Sequence, residues 1–361
     1  MKICYLARAD SYHTYKWCAQ MTARGHEIHV ISFIEGKIDC ATVHYVDCGI
    51  KKGNETERQK IKYLTKGTEI RKIIKDIQPD VIHAHRVSSY GLAAILAGVH
   101  KCIISVWGID IYDFPRKTFL HKVLIQFALR RAGQIWSTSH SMAAETQKYT
   151  KQDIQITPFG VDMKVFSPKR RSRQLADGRF IVGTVKALRP EYGISDILYA
   201  CQILKKRRPD IPIYVHIAGK GDQEQELKEL ACFLGIEAYV KWLGFISQEE
   251  AASEWANMDC ALILSKSESF GVSAVEAQAC GIPVIITDIP GLKEATSPNK
   301  SSIVVPVNNP EAVAKELIYL YDHPEIRKQM GEQGCDFVRK KYEITYCFNK
   351  IDRLYRDYLN S

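Results

Sequence analysis

The sequence lacks several features that would assign it to a familiar class. Its 361 residues contain no apolar run near the roughly 20 residues that a membrane-spanning helix needs. The start, M-K-I-C-Y-L-A-R-A-D, becomes charged too soon for a secretory signal. The eleven cysteines never form C-x-x-C, which argues against a zinc site or a disulfide framework. No G-x-G-x-x-G follows the first strand of either half, which disfavours a nicotinamide-dependent dehydrogenase. We therefore expect a protein of the reducing cytoplasm.

Charge is unevenly distributed along the chain. Residues 1–165 contain 24 Lys and Arg against 15 Asp and Glu, whereas residues 166–361 contain 26 of each. The net charge of +9 therefore belongs to the first half. This asymmetry indicates an anionic partner for that half, whether lipid headgroups, a phosphorylated acceptor or nucleic acid. For any single cluster, a solvated basic face explains the charge equally well.

Strands and helices are predicted to alternate along the whole chain. The segments K-I-C-Y-L-A, H-E-I-H-V-I-S-F, P-D-V-I-H-A-H and C-I-I-S-V-W-G-I-D are typical of buried strands that end in polar loops. A second series starts at F-I-V-G-T-V-K-A-L, after the polar connection S-P-K-R-R-S-R-Q-L-A-D-G-R. The length and this rhythm predict two α/β domains with doubly wound parallel sheets. In such sheets, ligands bind at the carboxyl ends of the strands.

The stretch S-E-S-F-G-V-S-A-V-E places two carboxylates eight positions apart. A helix is predicted from about Gly271 through Cys280, so the S-F-G-V turn presents free N–H groups suited to a phosphate. Glu268 precedes this helix. Glu276 lies about one and a half turns into it, among small and apolar residues, and could accept hydrogen bonds from a ribose diol. The alternative is that Glu268 caps the helix and Glu276 is a surface residue.

This stretch resembles the Glu-x7-Glu signature of the retaining glycosyltransferases of family 4 (GT4). Further segments fit that family in order along the chain: R-G-H-E-I-H-V-I-S, P-D-V-I-H-A-H, P-F-G-V-D, H-I-A-G-K-G, W-L-G-F-I and A-C-G-I-P-V-I-I-T-D-I-P-G-L-K-E. The resemblance implies the GT-B fold, two Rossmann-like α/β domains facing across a cleft. Residues 1–165 would bind the acceptor and residues 166–342 the nucleotide-sugar donor, with the last helix, 343–361, packing back on the first domain.

The resemblance also assigns roles to residues of the second domain. Glu268 would contact the donor sugar and Glu276 the nucleotide ribose. The remaining donor-binding positions would offer backbone or ring contacts to the sugar, diphosphate and base: Phe270, Gly271, Val272, Gly219, Gly221, Phe245 and Ile246. The family transfers sugars with retention of anomeric configuration, without a metal or other cofactor. The absence of an Asp-x-Asp pair agrees with that expectation.

Two departures from the family pattern affect the predicted chemistry. Relatives place an Arg and a Lys near the diphosphate, where this chain has Ala187 and Tyr192. We expect Lys186, and secondarily Arg189, to supply the positive charge instead. Where many relatives have a histidine that contacts the donor sugar, the chain reads S-V-W-G-I-D. Trp107 takes the histidine's place there, and Asp110 becomes the candidate polar contact.

Further candidates lie in the first domain. Ser11, His13 and Thr14 follow the first strand and could donate to the diphosphate or the acceptor. His83 and His85 alternate on one strand, so we expect at most one to face the core and the other to face the opposite side. His85, nearer the strand end, is the better acceptor-site candidate. A structural, hydrogen-bonded role is the commoner one for a single histidine.

Two basic segments could contact a membrane or a lipid-linked acceptor. One is K-K-G-N-E-T-E-R-Q-K-I-K-Y-L-T-K, which continues through Arg71, Lys72 and Lys75. The other, F-P-R-K-T-F-L-H-K-V-L-I-Q-F-A-L-R-R, interleaves cations with apolar residues, although the ordinary core face of a helix explains that pattern slightly better. No nucleic-acid-binding motif accompanies the charge.

The sequence therefore predicts a cytoplasmic sugar transferase. Its donor would be a UDP- or GDP-sugar, and its acceptor a sugar or a lipid-linked molecule used in cell-surface polysaccharide or glycolipid synthesis. Peripheral contact with the inner face of the membrane would involve the basic first domain. The altered basic pair and Trp107 motivate an alternative, a non-catalytic subunit that binds a nucleotide-sugar. A GT-B relative with epimerase or phosphorylase chemistry is a third possibility.

Overall fold

Two parallel sheets organise the residues that the structure, a computed structural model, describes, namely 1–50, 59, 61–172 and 178–360. The chain divides into two units. Unit 1 contains Met1–Phe159 together with the segment that begins at Cys347, and unit 2 contains Gly160–Tyr346. The first segment of basic residues considered above falls mostly on residues 51–58 and 60, outside the described residues, as does part of the polar connection between the domains.

Unit 1 is built on a seven-stranded parallel sheet of order β3-β2-β1-β4-β5-β6-β7. Its strands are β1 (Lys2–Leu6), β2 (Glu27–Ser32), β3 (Thr42–Tyr45), β4 (Val81–His85), β5 (Ile103–Val106), β6 (Gln134–Ser137) and β7 (Ile154–Ile156). The central strands are buried on both faces, as their nearly continuous apolar sequences predict for a parallel sheet covered by helices. Every pairing that the structure describes in this sheet is parallel.

Helices connect these strands. The α-helices of the first unit are α1 (Tyr12–Thr22), α2 (Gly67–Ile77), α3 (Leu92–Leu96), α4 (Ile109–Tyr112), α5 (Phe119–Arg131) and α6 (His140–Thr146). A single π-helical turn, Arg86–Gly91, joins β4 to α3, and short 3₁₀ turns occupy Ile61–Thr65 and Phe114–Arg116. Amphipathic spacing explains α2. Its buried residues Ile70 and Ile77 are two helical turns apart and therefore lie on the same face.

Unit 2 repeats the same strand order with six strands, β10-β9-β8-β11-β12-β13. They are β8 (Phe180–Val185), β9 (Ile213–Ala218), β10 (Val240–Gly244), β11 (Cys260–Ile263), β12 (Val284–Thr287) and β13 (Ser302–Val305). Its helices are α7 (Ile194–Arg207), α8 (Glu224–Phe233), α9 (Gln248–Asn257), α10 (Val272–Ala279), α11 (Pro290–Ala295), α12 (Pro310–Asp322) and α13 (Pro324–Lys341). In both sheets the order reverses beside the first strand, which is where open α/β sheets bind ligands.

The last helix, α14 (Ile344–Leu359), contributes aromatic side chains to unit 1. The Phe348 ring lies 5.4 Å from Trp17, and the Tyr355 ring lies 4.8 Å from Trp136. The Tyr355 hydroxyl is 2.6 Å from Nδ1 of His83 in β4. The first unit is thus completed by residues from the far end of the sequence. Among the helices of the described residues, none is both long and apolar enough to cross a membrane.

Candidate functional site

Lys186 and Glu268 form an ion pair in unit 2. Lys186 directly follows β8, and Glu268 lies in the loop between β11 and α10. The Lys186 Nζ lies 2.5 Å from Oε2 of Glu268, and each side chain is only 13% exposed. Burial opposes the charge of Lys186, but the nearby Glu268, Tyr192 and Glu276 outweigh it and raise the pKa of Lys186 above its usual value. The lysine is therefore a permanent cation held at a mostly buried position.

The loop after Glu268 leads into the first turn of α10 through a glycine that no other residue could replace without strain. Gly271 has a φ of +86°, and a Cβ there would lie 2.7 Å from the Leu292 side chain. The Ser273 hydroxyl donates to the carbonyl oxygen of Val185 at 2.9 Å. Because Val185 immediately precedes Lys186, this bond ties the start of α10 to the end of β8. The start of α10, with its free N–H groups, thus lies beside the segment that carries the mostly buried Lys186. Free N–H groups next to a cation make a site that suits an anion.

The other residues predicted around this helix differ in what they expose. Glu276 is 9% exposed, so it is not a surface carboxylate, and its charge acts on Lys186. The Phe270 side chain is buried and packs against Tyr342, with ring centroids 5.0 Å apart. Only the backbone of Phe270 is therefore suited to a ligand contact, whereas Val272 is half-buried at the first position of α10.

The two glycines after β9 hold the Lys186 backbone in place. A Cβ on Gly219 would lie 1.9 Å from the carbonyl oxygen of Lys186, and a Cβ on Gly221 would lie 2.1 Å from that of Leu188. The Lys186 N–H donates to Ala218 at 2.8 Å across the same junction. These glycines are required because two loops pass within van der Waals contact. That close approach is a requirement separate from any contact with a nucleotide.

Arg189, Phe245 and Ile246 lie at the rims of the neighbouring loops. The Arg189 side chain is 48% exposed, and its guanidinium pairs with Glu191 at 4.0 Å rather than with Glu268. Phe245 follows β10 and is 78% exposed, a large ring that the fold leaves in solvent, while Ile246 is half-buried. Of the two predicted cations, the structure therefore brings only Lys186 to the buried carboxylate.

Tyr192 was missed as a contributor to this cluster. The sequence interpretation treated it as the loss of a cation, yet the Lys186 Nζ lies 4.3 Å from the centroid of the Tyr192 ring. This distance is within the range of a cation–π contact. The signal was present in the spacing, because Tyr192 stands six residues after Lys186 in the loop that follows β8.

In unit 1, the expectation that His83 and His85 face opposite sides of the sheet is wrong. Residues two apart on a strand point to the same face, and the two rings lie 4.9 Å apart, both buried. His83 is a hydrogen-bonded structural residue, with Nδ1 at 2.6 Å from the Tyr355 hydroxyl and Nε2 at 2.7 Å from that of Ser105. Burial lowers the pKa of His83 to about 3, so its ring is neutral.

His85 lies in an aromatic enclosure at the carboxyl end of β4. Its ring is 4.4 Å from that of Trp107, 5.1 Å from Tyr5 and 5.2 Å from Trp17. Neither ring nitrogen has a hydrogen-bond partner among the described residues. Burial, with smaller contributions from neighbouring positive groups, lowers the pKa of His85 well below its usual value, so this ring is also neutral.

Of the N-terminal candidates, His13 lies beside the half-buried Trp107. The His13 ring stacks on Phe159 at 4.4 Å, and Trp107 lies 5.9 Å from His13. Ser11 is half-buried just before α1, whereas Thr14 is 1% exposed. The structure therefore brings His13, His85 and Trp107 together around the ends of β1, β4 and β5, and it places Thr14 in the interior.

Asp110 does not fit the role of a sugar contact that the resemblance suggested. It is 3% exposed, and its carboxylate accepts hydrogen bonds from the backbone N–H groups of Val87, Trp107 and Gly108 at 2.9–3.2 Å. Burial raises the pKa of Asp110, against the opposing effects of Arg86 and these donors. Its carboxylate holds two loops together. The sequence W-G-I-D could have indicated this role, because an Asp side chain often bonds to backbone N–H groups two or three residues away.

No cluster of three or more His, Cys, Asp or Glu side chains suited to a metal ion occurs in residues 1–50, 59, 61–172 and 178–360.

Two family models match the chain. The model described as "Glycosyl transferase 4-like" matches residues 2–139, and "Glycosyl transferases group 1" matches residues 165–336. The chain is similar to a D-inositol 3-phosphate glycosyltransferase of Paenarthrobacter aurescens, with 36% identity over 49% of this chain and 45% of the relative. It thus spans about half the length of that protein. An N-acetyl-alpha-D-glucosaminyl L-malate synthase of Bacillus anthracis is 24% identical over 94% of this chain and 91% of its own length.

Solved structures show the same fold over nearly the whole chain. Sucrose-phosphate synthase from Thermosynechococcus elongatus has a TM-score of 0.87 at 15% identity, covering 99% of this chain and 98% of the other. HepE of Anabaena, solved with UDP and with UDP-glucose, has TM-scores of 0.78 and 0.77 at 14% and 16% identity, covering 99% of this chain and 100% of the other in each. Two Rossmann-like domains with parallel sheets, and these neighbours, establish the GT-B fold. Each unit also carries a sequence that a glycosyltransferase family model matches, over residues 2–139 in unit 1 and residues 165–336 in unit 2, and these matches support a glycosyltransferase of the 4-like type.

Proposed function

We propose that the protein is a retaining, metal-independent glycosyltransferase that moves a sugar from a UDP- or GDP-sugar to a sugar or lipid-linked acceptor. The observation that carries this proposal is the buried Lys186–Glu268 pair beside the first turn of α10. In this pair, Lys186 is a cation suited to a diphosphate, and Glu268 is a carboxylate suited to sugar hydroxyls. We place the reaction in the synthesis of cell-surface polysaccharide or glycolipid.

The proposed chemistry uses each charge differently. In the reaction, the bond between C1 of the sugar and the diphosphate oxygen breaks, and C1 bonds to the acceptor hydroxyl oxygen on the same face. The acceptor proton passes to the departing diphosphate. Lys186 and the N–H groups of α10 would stabilise the charge that develops on the leaving group. Glu268 would accept hydrogen bonds from the donor sugar, and Glu276 from the ribose.

The relatives support a nucleotide-sugar donor. The sequence relatives include a D-inositol 3-phosphate glycosyltransferase and an N-acetyl-alpha-D-glucosaminyl L-malate synthase, and HepE was solved with UDP-glucose. The half-buried rings of His13 and Trp107 in unit 1 supply aromatic contact area, with the buried His85 ring packed against Trp107, and this suits a sugar-containing acceptor.

The proposal includes contact between unit 1 and an anionic membrane, supported by the start of α5. The slightly favoured expectation of an ordinary core face holds only for part of this helix. Ile125, Ala128 and Leu129 are buried, whereas Phe119 is 81% exposed and Leu120 63%. The cations on the same segment, Arg116, Lys117 and Lys122, are exposed as well. An exposed apolar pair among cations is the pattern of interfacial membrane segments.

The experiment that tests the activity is a nucleotide-release assay with a panel of UDP-, GDP- and ADP-sugars, with and without sugar and lipid acceptors. We expect turnover with one donor, and its loss in Lys186→Ala and Glu268→Ala. Full activity of Glu268→Ala would contradict the site assignment. Binding of UDP or GDP without turnover of any donor would favour the non-catalytic nucleotide-sugar-binding subunit instead.

A further inference from the structure

Lys186 would lose its main partner during the proposed reaction. In the ligand-free protein, Glu268 holds the ammonium group at 2.5 Å, and Glu276 acts on it from farther away. When Glu268 turns to a donor sugar, its hold on Lys186 weakens, and a long flexible lysine loses the contact that fixed it. Arg189 does not supply a replacement cation, because its guanidinium pairs with Glu191.

The Tyr192 ring offers a contact that survives this exchange. It lies 4.3 Å from the Lys186 Nζ and covers one side of the ammonium group. An ammonium group has three N–H donors, so an aromatic face on one side leaves donors for phosphate oxygens on another. Burial raises the pKa of Tyr192 above its usual value, with Lys186 opposing it, so the ring stays neutral and does not compete with a diphosphate for charge.

The backbone fixes Tyr192 to the segment that carries Glu268. Tyr192 ends a short 3₁₀ turn, Pro190–Tyr192. The Lys266 N–H donates to the carbonyl oxygen of Glu191 at 2.8 Å. The next residue, Gly193, has a φ of +65°, and a Cβ there would lie 2.2 Å from the carbonyl oxygen of Leu264. The turn is therefore attached to residues 264–266, so the ring and the Glu268 loop keep a fixed relation to each other.

We propose that Tyr192 is a positioning residue, which holds the Lys186 ammonium group by its ring while the donor diphosphate replaces Glu268 as the partner of that cation. This inference rests on the proposed function. It assigns to one aromatic ring the task of keeping a single buried cation in place for diphosphate binding and release.

The test compares Tyr192→Phe, which keeps the ring, with Tyr192→Leu, which keeps an apolar side chain without a ring. Tyr239→Leu is the matched control, because the Tyr239 ring lies 4.8 Å from Lys205 in the same unit and away from the Lys186–Glu268 pair. We measure the affinity for UDP and GDP by calorimetry, kcat and KM for the active donor, and the Tm of each variant. Tyr192→Phe and Tyr239→Leu should match the wild type. Tyr192→Leu should bind the diphosphate about 3- to 30-fold more weakly, with the Tm nearly unchanged.

A second set of variants separates positioning from packing. If the ring acts through Lys186, Tyr192→Leu has no further effect on diphosphate affinity in a Lys186→Met background. An equal loss in both backgrounds would overturn the inference, as would wild-type affinity in Tyr192→Leu. If Tyr192→Leu does not fold, Tyr192→Met takes its place in the same cycle. A wild-type protein that binds no UDP or GDP would refute the proposed function instead, which distinguishes the two failures.

Discussion

At the scale of single residues, the proposed function gives Lys186 two anionic partners in turn, Glu268 and the donor diphosphate, and this has a measurable consequence. Glu268 occupies the cation at 2.5 Å in the ligand-free protein, so a diphosphate must compete with a carboxylate of the protein for the same ammonium group. Under the proposed function, Glu268 would therefore lower the affinity for the nucleotide while contributing to the chemical step. Binding and catalysis should respond in opposite directions when this carboxylate is neutralised.

We expect Glu268→Gln to lower turnover by at least about 100-fold, because the sugar loses a charged hydrogen-bond acceptor at the reacting centre. The same variant should bind free UDP or GDP about 2- to 10-fold more tightly, because Lys186 is released for the diphosphate. Calorimetry and the release assay measure the two quantities. Glu254→Gln removes a carboxylate from another ion pair of unit 2, with His216 at 3.0 Å, and is the control. Weaker nucleotide binding by Glu268→Gln would contradict the competition.

Single-residue roles differ in how far the sequence could predict them. The burial of Glu276 followed from its apolar neighbours, and the glycine at 271 from the turn that precedes a helix. The Lys186–Glu268 contact joins residues 82 positions apart and depends on how β8 and β11 pair, which no local pattern encodes. The family resemblance assigns Asp110 a polar contact with the ligand, whereas in the structure its buried carboxylate accepts hydrogen bonds from the backbone.

At the scale of elements, strand β4 is sensitive to acid. It carries two buried histidines on one face, and burial lowers the pKa of both rings, that of His83 to about 3. In the unfolded chain, histidines bind protons from about pH 6.5 downward. Between pH 6.5 and 3 the unfolded state therefore binds more protons than the native state. The stability that these neutral rings allow is complete above pH 6.5 and is lost as the pH falls below it.

We expect unit 1 to lose stability as the pH falls below 6.5, with a slope that approaches about 1.4 kcal/mol per pH unit for each of these histidines. Amide hydrogen exchange of β4 measures this loss separately from the stability of unit 2. His85→Phe, which fits the aromatic enclosure, should reduce the pH slope by the contribution of one histidine. The matched variant His100→Gln alters an exposed histidine of the same unit. An unchanged slope in His85→Phe would show that His85 is not the titrating group.

Element types were largely predictable, and face assignments less so. The alternation of apolar strands with helical segments predicted both parallel sheets, because buried parallel strands are apolar on both faces. The prediction for His83 and His85 misapplied the strand repeat. Residues two apart on a strand lie on the same face of the sheet, not on opposite faces. Helix α5 has a solvent-facing first turn, whereas Ile125, Ala128 and Leu129 in its second half are buried, and a uniform amphipathic pattern could not separate the two.

For the whole molecule, charge and the exposed start of α5 lie in the same half of the chain. All of the net charge of +9 belongs to residues 1–165. Phe119 and Leu120, with Arg116, Lys117 and Lys122 around them, add apolar contact area to that charge. Attraction to anionic headgroups would bring unit 1 to a bilayer, and burial of the two side chains would hold it there.

We expect the protein to co-sediment with vesicles of phosphatidylcholine that contain phosphatidylglycerol, but much less with phosphatidylcholine alone. The double change Phe119→Ser and Leu120→Ser should weaken this binding at least about 10-fold, because two exposed apolar side chains no longer enter the interface. Added salt should weaken it further. Phe233→Ser removes an equally exposed phenylalanine of unit 2, 85% exposed, and should bind like the wild type. Equal binding to both kinds of vesicle would contradict an electrostatic attachment.

The order in which the ribosome delivers this chain matters for its first unit. Unit 1 takes its last helix from beyond Cys347, and Tyr355 and Phe348 cover Trp136 and Trp17. All of unit 2, Gly160–Tyr346, is synthesised between these two parts. During translation, Trp136 and Trp17 therefore stay uncovered until the last helix is made. The later unit can complete its own core first. The part of unit 1 that is made first can therefore complete its core only after residues 160–346 and the segment that begins at Cys347 have been synthesised.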